Sequence, residues 1–164
     1  MSITISKTGV VLRTVVIDAL LLAAACLVPT VSHAFSLPLY QLNPMAFCLL
    51  LGMALVGDRR NGILLAVLMP VVSMLVVGMP VPAKCLCMVA ELLTIVAVYA
   101  LMSNRIRPLF SVLMAMLCGK VVYYLLKALI ISPAVLVGTS VWLQIATIVV
   151  YGLVFAFIAK KSAD

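Results

Sequence analysis

The sequence is short of charge, shorter still of acid, and holds one histidine. Only 9% of its 164 residues are Asp, Glu, Lys or Arg, four of them acids, while 67% are hydrophobic. Soluble domains average about 25% charged and about 45–50% apolar residues, and a fold of this size in water needs polar side chains over its surface. That excludes a water-soluble domain and makes the bilayer the solvent. The lone histidine, His33, leaves little acid–base chemistry, and no Ser-His-Asp, His-Glu-x-x-His or paired-carboxylate arrangement is present. Catalysis, a metal and a cofactor are therefore not expected. Cysteine supplies no framework: the five (Cys26, Cys48, Cys85, Cys87, Cys118) are odd in number and mostly lie in apolar runs. Cys85 and Cys87 would stand about 200° apart on a helix, the wrong spacing for a shared metal.

What the chain does have is hydrophobic runs. They lie at about 14–31, 44–56, 61–77, 83–102, 108–131 and 139–159, each bounded by Pro, Gly, Asn or Ser. The expected fold is a single all-α domain, a compact bundle of six transmembrane helices. At this length there is room for about six spans and nothing else. The second run is short for a full crossing, so it either begins in the preceding loop or sits where the bilayer is thinned. The first run, with Lys7 and Arg13 before it and Ser32-His33-Ala34 after it, imitates a signal peptide. Asp18, early in its apolar stretch, argues for a retained helix.

The connections alternate in charge. Lys7 and Arg13, then Asp58-Arg59-Arg60, Arg105 and Arg107, and Lys160-Lys161 occupy every second one, whereas 33–43, 78–82 and 132–138 contain no Lys or Arg. By the positive-inside rule the basic positions face the cytoplasm, which places both termini inside. The net charge of +7 then reflects orientation rather than nucleic-acid binding.

Ionisable residues inside spans cost roughly 2.5–3.5 kcal/mol each on insertion scales and usually face a cavity or one another. Lys84 and Glu91 are seven apart on span four, and Lys120 and Lys127 repeat that spacing on span five, with Tyr123 and Tyr124 between them. Gln144, Thr147 and Tyr151 form a third stripe on span six. With the expected orientation, Glu91 and Lys120 come to similar depths of roughly 12–15 Å from the outer side. Two readings compete. In one, Lys84 and Lys127 reach the headgroups while Glu91 and Lys120 form a packing pair. In the other, the stripes line an outward pocket, roofed by the 33–43 loop with His33, Tyr40, Gln41 and Asn43. Its surplus of lysine would favour a carboxylate or phosphate. Tyr123, Tyr124 and Trp142 could stack on a ring, although Trp142 also suits an interfacial anchor. Asp18, about one turn into span one, is expected to pair with Arg13, reach the interface or serve a proton relay.

Ala19 and Ala23 stand four apart on span one, a spacing that admits a close helix neighbour inside or outside the chain. With this alanine pair, the short second span after Tyr40-Gln41-Leu42-Asn43-Pro44 and the small turn Gly57-Asp58-Arg59-Arg60-Asn61-Gly62, the chain resembles the substrate-binding S-components of energy-coupling factor (ECF) transporters. The resemblance covers nearly the whole chain in layout. It implies high-affinity capture of a vitamin-like micronutrient at the outer face of a bacterial or archaeal cytoplasmic membrane. It also implies docking through Ala19 and Ala23 onto a transmembrane coupling subunit served by an ATPase pair. Those ATPases would be separate chains, since no G-x-x-x-x-G-K-[ST] phosphate loop occurs here. No ligand-defining motif for biotin, riboflavin, thiamine or folate is recognised. The competing expectation is a structural or assembly subunit, discriminated by whether a ligand-sized cavity, about 300–1,000 Å³, adjoins Glu91 and Lys120.

Overall fold

A computed structural model describes residues 7–35, 42–103, 105–131 and 141–161. Among them the chain forms six helices and no strand: α1 (Lys7–Ala34), α2 (Pro44–Val56), α3 (Arg59–Val77), α4 (Pro82–Met102), α5 (Pro108–Ile130) and α6 (Val141–Lys161). The stretches Val11–Ser32, Arg59–Val77, Pro82–Met102 and Pro108–Ile130 are long and apolar enough to cross a bilayer, and Pro44–Val56 and Trp142–Phe155 are shorter apolar stretches. These features mark a helical membrane protein.

The helix limits follow from local chemistry. Proline opens α2, α4 and α5, where its missing N–H would have had no intrahelical partner. Gly57 and Gly78 end α2 and α3 in the left-handed region, φ 73° and 74°, each N–H returning to the carbonyl four residues back. Asp58 caps α3 by accepting from the Arg60 N–H at 2.9 Å. The first helix begins at Lys7 and runs to Ala34, longer than the expected 14–31, because the basic residues before its apolar stretch continue the same helix.

The helices follow one another around an arc, with α3 against α1 and α4, α4 against α5, and α5 against α6. The short helix α2 lies within the arc and touches α1, α3 and α4. Its sequence, PMAFCLLLGMALV, has no polar side chain on any face, as a helix surrounded by others requires. Phe47 of α2 meets two rings of α6, Tyr151 at 5.0 Å and Phe155 at 5.8 Å between centroids, closing the arc. The first helix is peripheral: Leu21, Ala25 and Ser32 are buried, while Val11, Leu12, Val15, Val16, Leu20 and Leu27 are exposed.

Candidate functional site

Glu91 lies on α4 and is buried, 3% exposed. A lone carboxylate there would be costly, but Glu91 is paired. Its Oε1 lies 2.8 Å from Lys120 Nζ on α5 and accepts a hydrogen bond from Asn43 Nδ2, also at 2.8 Å. This is the one ion pair within 4 Å among the described residues.

Two backbone features bring the three residues together. Gly119 lets α5 approach α4: a Cβ there would fall 2.7 Å from Ile95 Cγ1 and 3.2 Å from the Glu91 carbonyl oxygen. The next residue is Lys120. Asn43, just before α2, holds φ 49° and ψ 59°, the only positive-φ non-glycine residue among those described. Asparagine tolerates that conformation better than most residues. Its carbonyl accepts from the N–H groups of Ala46 and Phe47, and its side chain, instead of capping its own helix as Asp58 does, crosses to Glu91.

Depth can be read from three helices. Glu91 is nine residues from the start of α4, Lys120 ten from the end of α5, and Tyr151, whose hydroxyl donates to the Leu42 carbonyl, ten from the start of α6. At 1.5 Å per residue each lies about 13–15 Å from its helix end. Leu42 and Asn43 therefore start α2 level with the middles of α4, α5 and α6. Non-helical backbone at such a depth is tolerated where protein buries it or where it lines a watered cavity.

Aromatic groups flank the pair. Lys120 and Lys127 place their Nζ atoms 5.3 and 5.9 Å from the Tyr123 ring centroid, within cation–π range. Tyr123 meets Tyr124 edge-on at 5.4 Å, and Gln144 of α6 donates through Nε2 to the Tyr124 hydroxyl. Lys120, Tyr124 and Gln144 border an open groove of about 470 Å³ between α5 and α6 whose surface is almost wholly apolar. Its volume lies in the usual ligand range.

Of the residues singled out in the sequence, Asn43, Glu91 and Lys120 come together directly. Tyr123, Tyr124 and Lys127 adjoin them, Gln144 joins through Tyr124, and Tyr151 joins through Leu42. Thus α6 approaches by way of α5 and the start of α2. Lys84 is exposed in the first turn of α4, and Trp142 is 81% exposed at the start of α6. His33 lies in the last turn of α1 rather than in a loop, because the helix continues to Ala34, while Gln41 and Tyr40 fall outside the described residues. Ala19 and Ala23 are both exposed, so none of the described helices packs on them; the small residues buried on α1, among those described, are Ala25 and Ser32.

For Asp18 the structure corrects the expected pairing with Arg13. Its Oδ1 accepts from Asn61 Nδ2 of α3 at 2.9 Å, joining α1 to α3 instead of meeting Arg13. Asn61 and Gly119 went unrecognised in the sequence, where the first read as part of a turn and the second as an ordinary helix residue. No local signal in the sequence links Asn61 to Asp18, 43 residues away. All five cysteines are free, and no group of three His, Cys, Asp or Glu able to hold a metal occurs among the described residues.

Compared with protein-family models, curated proteins and solved structures, the chain matches none.

Proposed function

We propose that this chain is a non-catalytic, membrane-embedded substrate-binding subunit of an ECF-type importer. It captures a small acidic vitamin or related micronutrient from the outer side and hands it on with a coupling subunit and an ATPase pair. All six helices belong to the membrane domain, with both termini cytoplasmic, as the alternation of basic connections favours. The observation that carries the reading is the convergence of Asn43, Glu91 and Lys120 at mid-depth beside a ligand-sized hollow. Intramembrane charges gathered near non-helical backbone are a recurring feature of transport sites. Lys120 and Lys127 supply the cationic side for an acid, Glu91 and Asn43 orient Lys120, and the exposed Ala19 and Ala23 offer a small-residue face to the coupling subunit.

A second reading has its own support: Lys120 and Asn43 both engage Glu91 Oε1 within the chain, as a structural cluster would have it. Native mass spectrometry of protein gently purified from its host separates the two. The binding reading expects a small molecule retained by wild type and lost in Lys120→Ala and Glu91→Ala. A wild type that carries nothing, together with variants that only lose thermal stability, would favour the structural subunit.

A further inference from the structure

With the termini inside, the outer half of the chain is almost without charge. The connections 33–43, 78–82 and 132–138 hold no Asp, Glu, Lys or Arg, and the charged residues in the outer halves of the helices are Lys84, Glu91, Lys120 and Lys127. Glu91 answers Lys120. Two cations are left over, and neither has an acid within 4 Å among the described residues.

Both stand at one place. Helices α4 and α5 pack closely and run in opposite directions, with Glu91 against Lys120 and Gly119 against Ile95. Lys84 is seven residues nearer the outer end of α4 than Glu91, and Lys127 is seven nearer the outer end of α5 than Lys120. Seven residues make two turns, so the lysine pair repeats the position of the ion pair about 10 Å higher on the same seam. Lys127 is half-buried there: its Nζ lies 5.9 Å from the Tyr123 ring centroid, and its charge acts on the thiol of Cys87, one turn below Lys84 on α4. Lys84 is exposed. The layer that could have held a second ion pair therefore holds two ammonium groups.

Like charges so placed repel, and an anion received between them turns that repulsion into attraction. Because the rest of the outer face is uncharged, the field that draws an anion from solution is centred on this spot. Charge balance sets the class of anion. Two uncompensated cations match a group with two negative charges, which a phosphate monoester approaches at neutral pH and a single carboxylate does not. Lysine, a compact point charge with three donors, is a common phosphate partner.

We infer that the outer end of the α4–α5 seam is an anion-capture site, where Lys84 and Lys127 together take a phosphate-type dianionic group from the outer solution. The inference rests on the binding-subunit reading and names where its acidic ligand is first held and which acid it bears.

The test uses the full chain in phosphatidylcholine nanodiscs, its six lysines carrying ¹³C-dimethyl groups that keep their charge. Inorganic phosphate is added at constant ionic strength while the methyl resonances are followed. Those of Lys84 and Lys127, identified by their loss in Lys84→Gln and Lys127→Gln, should shift saturably with one common half-saturation. In either variant the half-saturation at the remaining lysine should rise roughly tenfold, the effect of losing one charge-assisted bond. Lys84→Glu supplies a counter-charge to Lys127 and should abolish the phosphate response without lowering the melting temperature. Shifts that never saturate would overturn the inference and leave two lysines reaching for headgroups. Saturable shifts whose half-saturation at one lysine ignores loss of the other would also overturn it. So would a response to phosphatidic acid placed in the disc with none to phosphate in solution, which would make the anion a lipid headgroup. If phosphate gives no saturable response, yet a small molecule co-purifies with wild type and is lost in Glu91→Ala, the capture site is wrong and the binding subunit stands. A saturable response on a chain that carries no such molecule upholds the anion site and removes the reading it rests on.

Discussion

Two acids lie within apolar helices of this chain, and each is met by an asparagine amide. Asp18 of α1 accepts from Asn61 at 2.9 Å; Glu91 of α4 accepts from Asn43 at 2.8 Å. The resemblance ends there. Asp18 is half-buried, meets Asn61 of one neighbouring helix and stands near the basic turn between α2 and α3, where it pins α1 to the arc. Glu91 is deeper, adds a lysine on a second element, draws its amide from a left-handed residue at mid-depth and adjoins a hollow. The same acid–amide pair serves as a clasp in one place and as the base of a binding cluster in the other. What separates them is the added cation and the space beside it.

The contrast can be tested in order of expected effect. Lys120→Ala should be the most damaging single change, about 3–5 kcal/mol, because it leaves a buried carboxylate without its counter-charge. Glu91→Ala should cost less, since the Lys120 side chain is 18% exposed against 5% for Glu91 and can turn its ammonium outward; thermal unfolding in detergent should rank the two in that order. Asn43→Ala should follow at about 2–4 kcal/mol, combining a lost hydrogen bond with a left-handed backbone that alanine resists. Asn43→Gly should recover the backbone part and leave a deficit of about 1 kcal/mol, which isolates the amide. Gly119→Ala, with its Cβ 2.7 Å from Ile95 Cγ1, should cost about 1–3 kcal/mol by wedging α4 from α5. On the Asp18 side, Asn61→Ala should cost about 1 kcal/mol and leave ligand retention unchanged, whereas Asn43→Ala should reduce both. Exposed Lys84→Ala should move stability within about 0.5 kcal/mol. If Asn61→Ala also released a ligand, the two regions would be coupled and the contrast would fail.

Much of this arrangement was legible in the sequence because hydropathy, proline and glycine act locally. The limits of α2 agree with expectation on account of Pro44 and Gly57, and the wholly apolar composition of α2 marks it for the interior. Matching Glu91 to Lys120 by depth needed only residue counting and helix rise. Other features depend on approach between distant segments. Asn43 reaches Glu91 through a backbone conformation that periodicity does not encode, and Gly119 matters only because Ile95 and the Glu91 carbonyl stand opposite. The pairing of Asp18 went to Asn61, 43 residues away, over the nearby arginine, because the packing of α1 on α3 decides which polar group is in reach. The same counting set Lys84 near the helix end, and it is exposed there in the first turn of α4.

The most direct test replaces both charges at once. Exchanging a buried ion pair for apolar residues of similar size is often neutral or stabilising, so a Glu91→Leu/Lys120→Leu double variant should fold and unfold near the wild-type temperature. Its native mass spectrum, taken beside that of wild type from the same host, reads the cluster's purpose without the confusion of a stranded charge. The binding account predicts a small molecule on wild type and none on the double variant. A double variant that keeps the molecule, or a wild type that carries none, would contradict it.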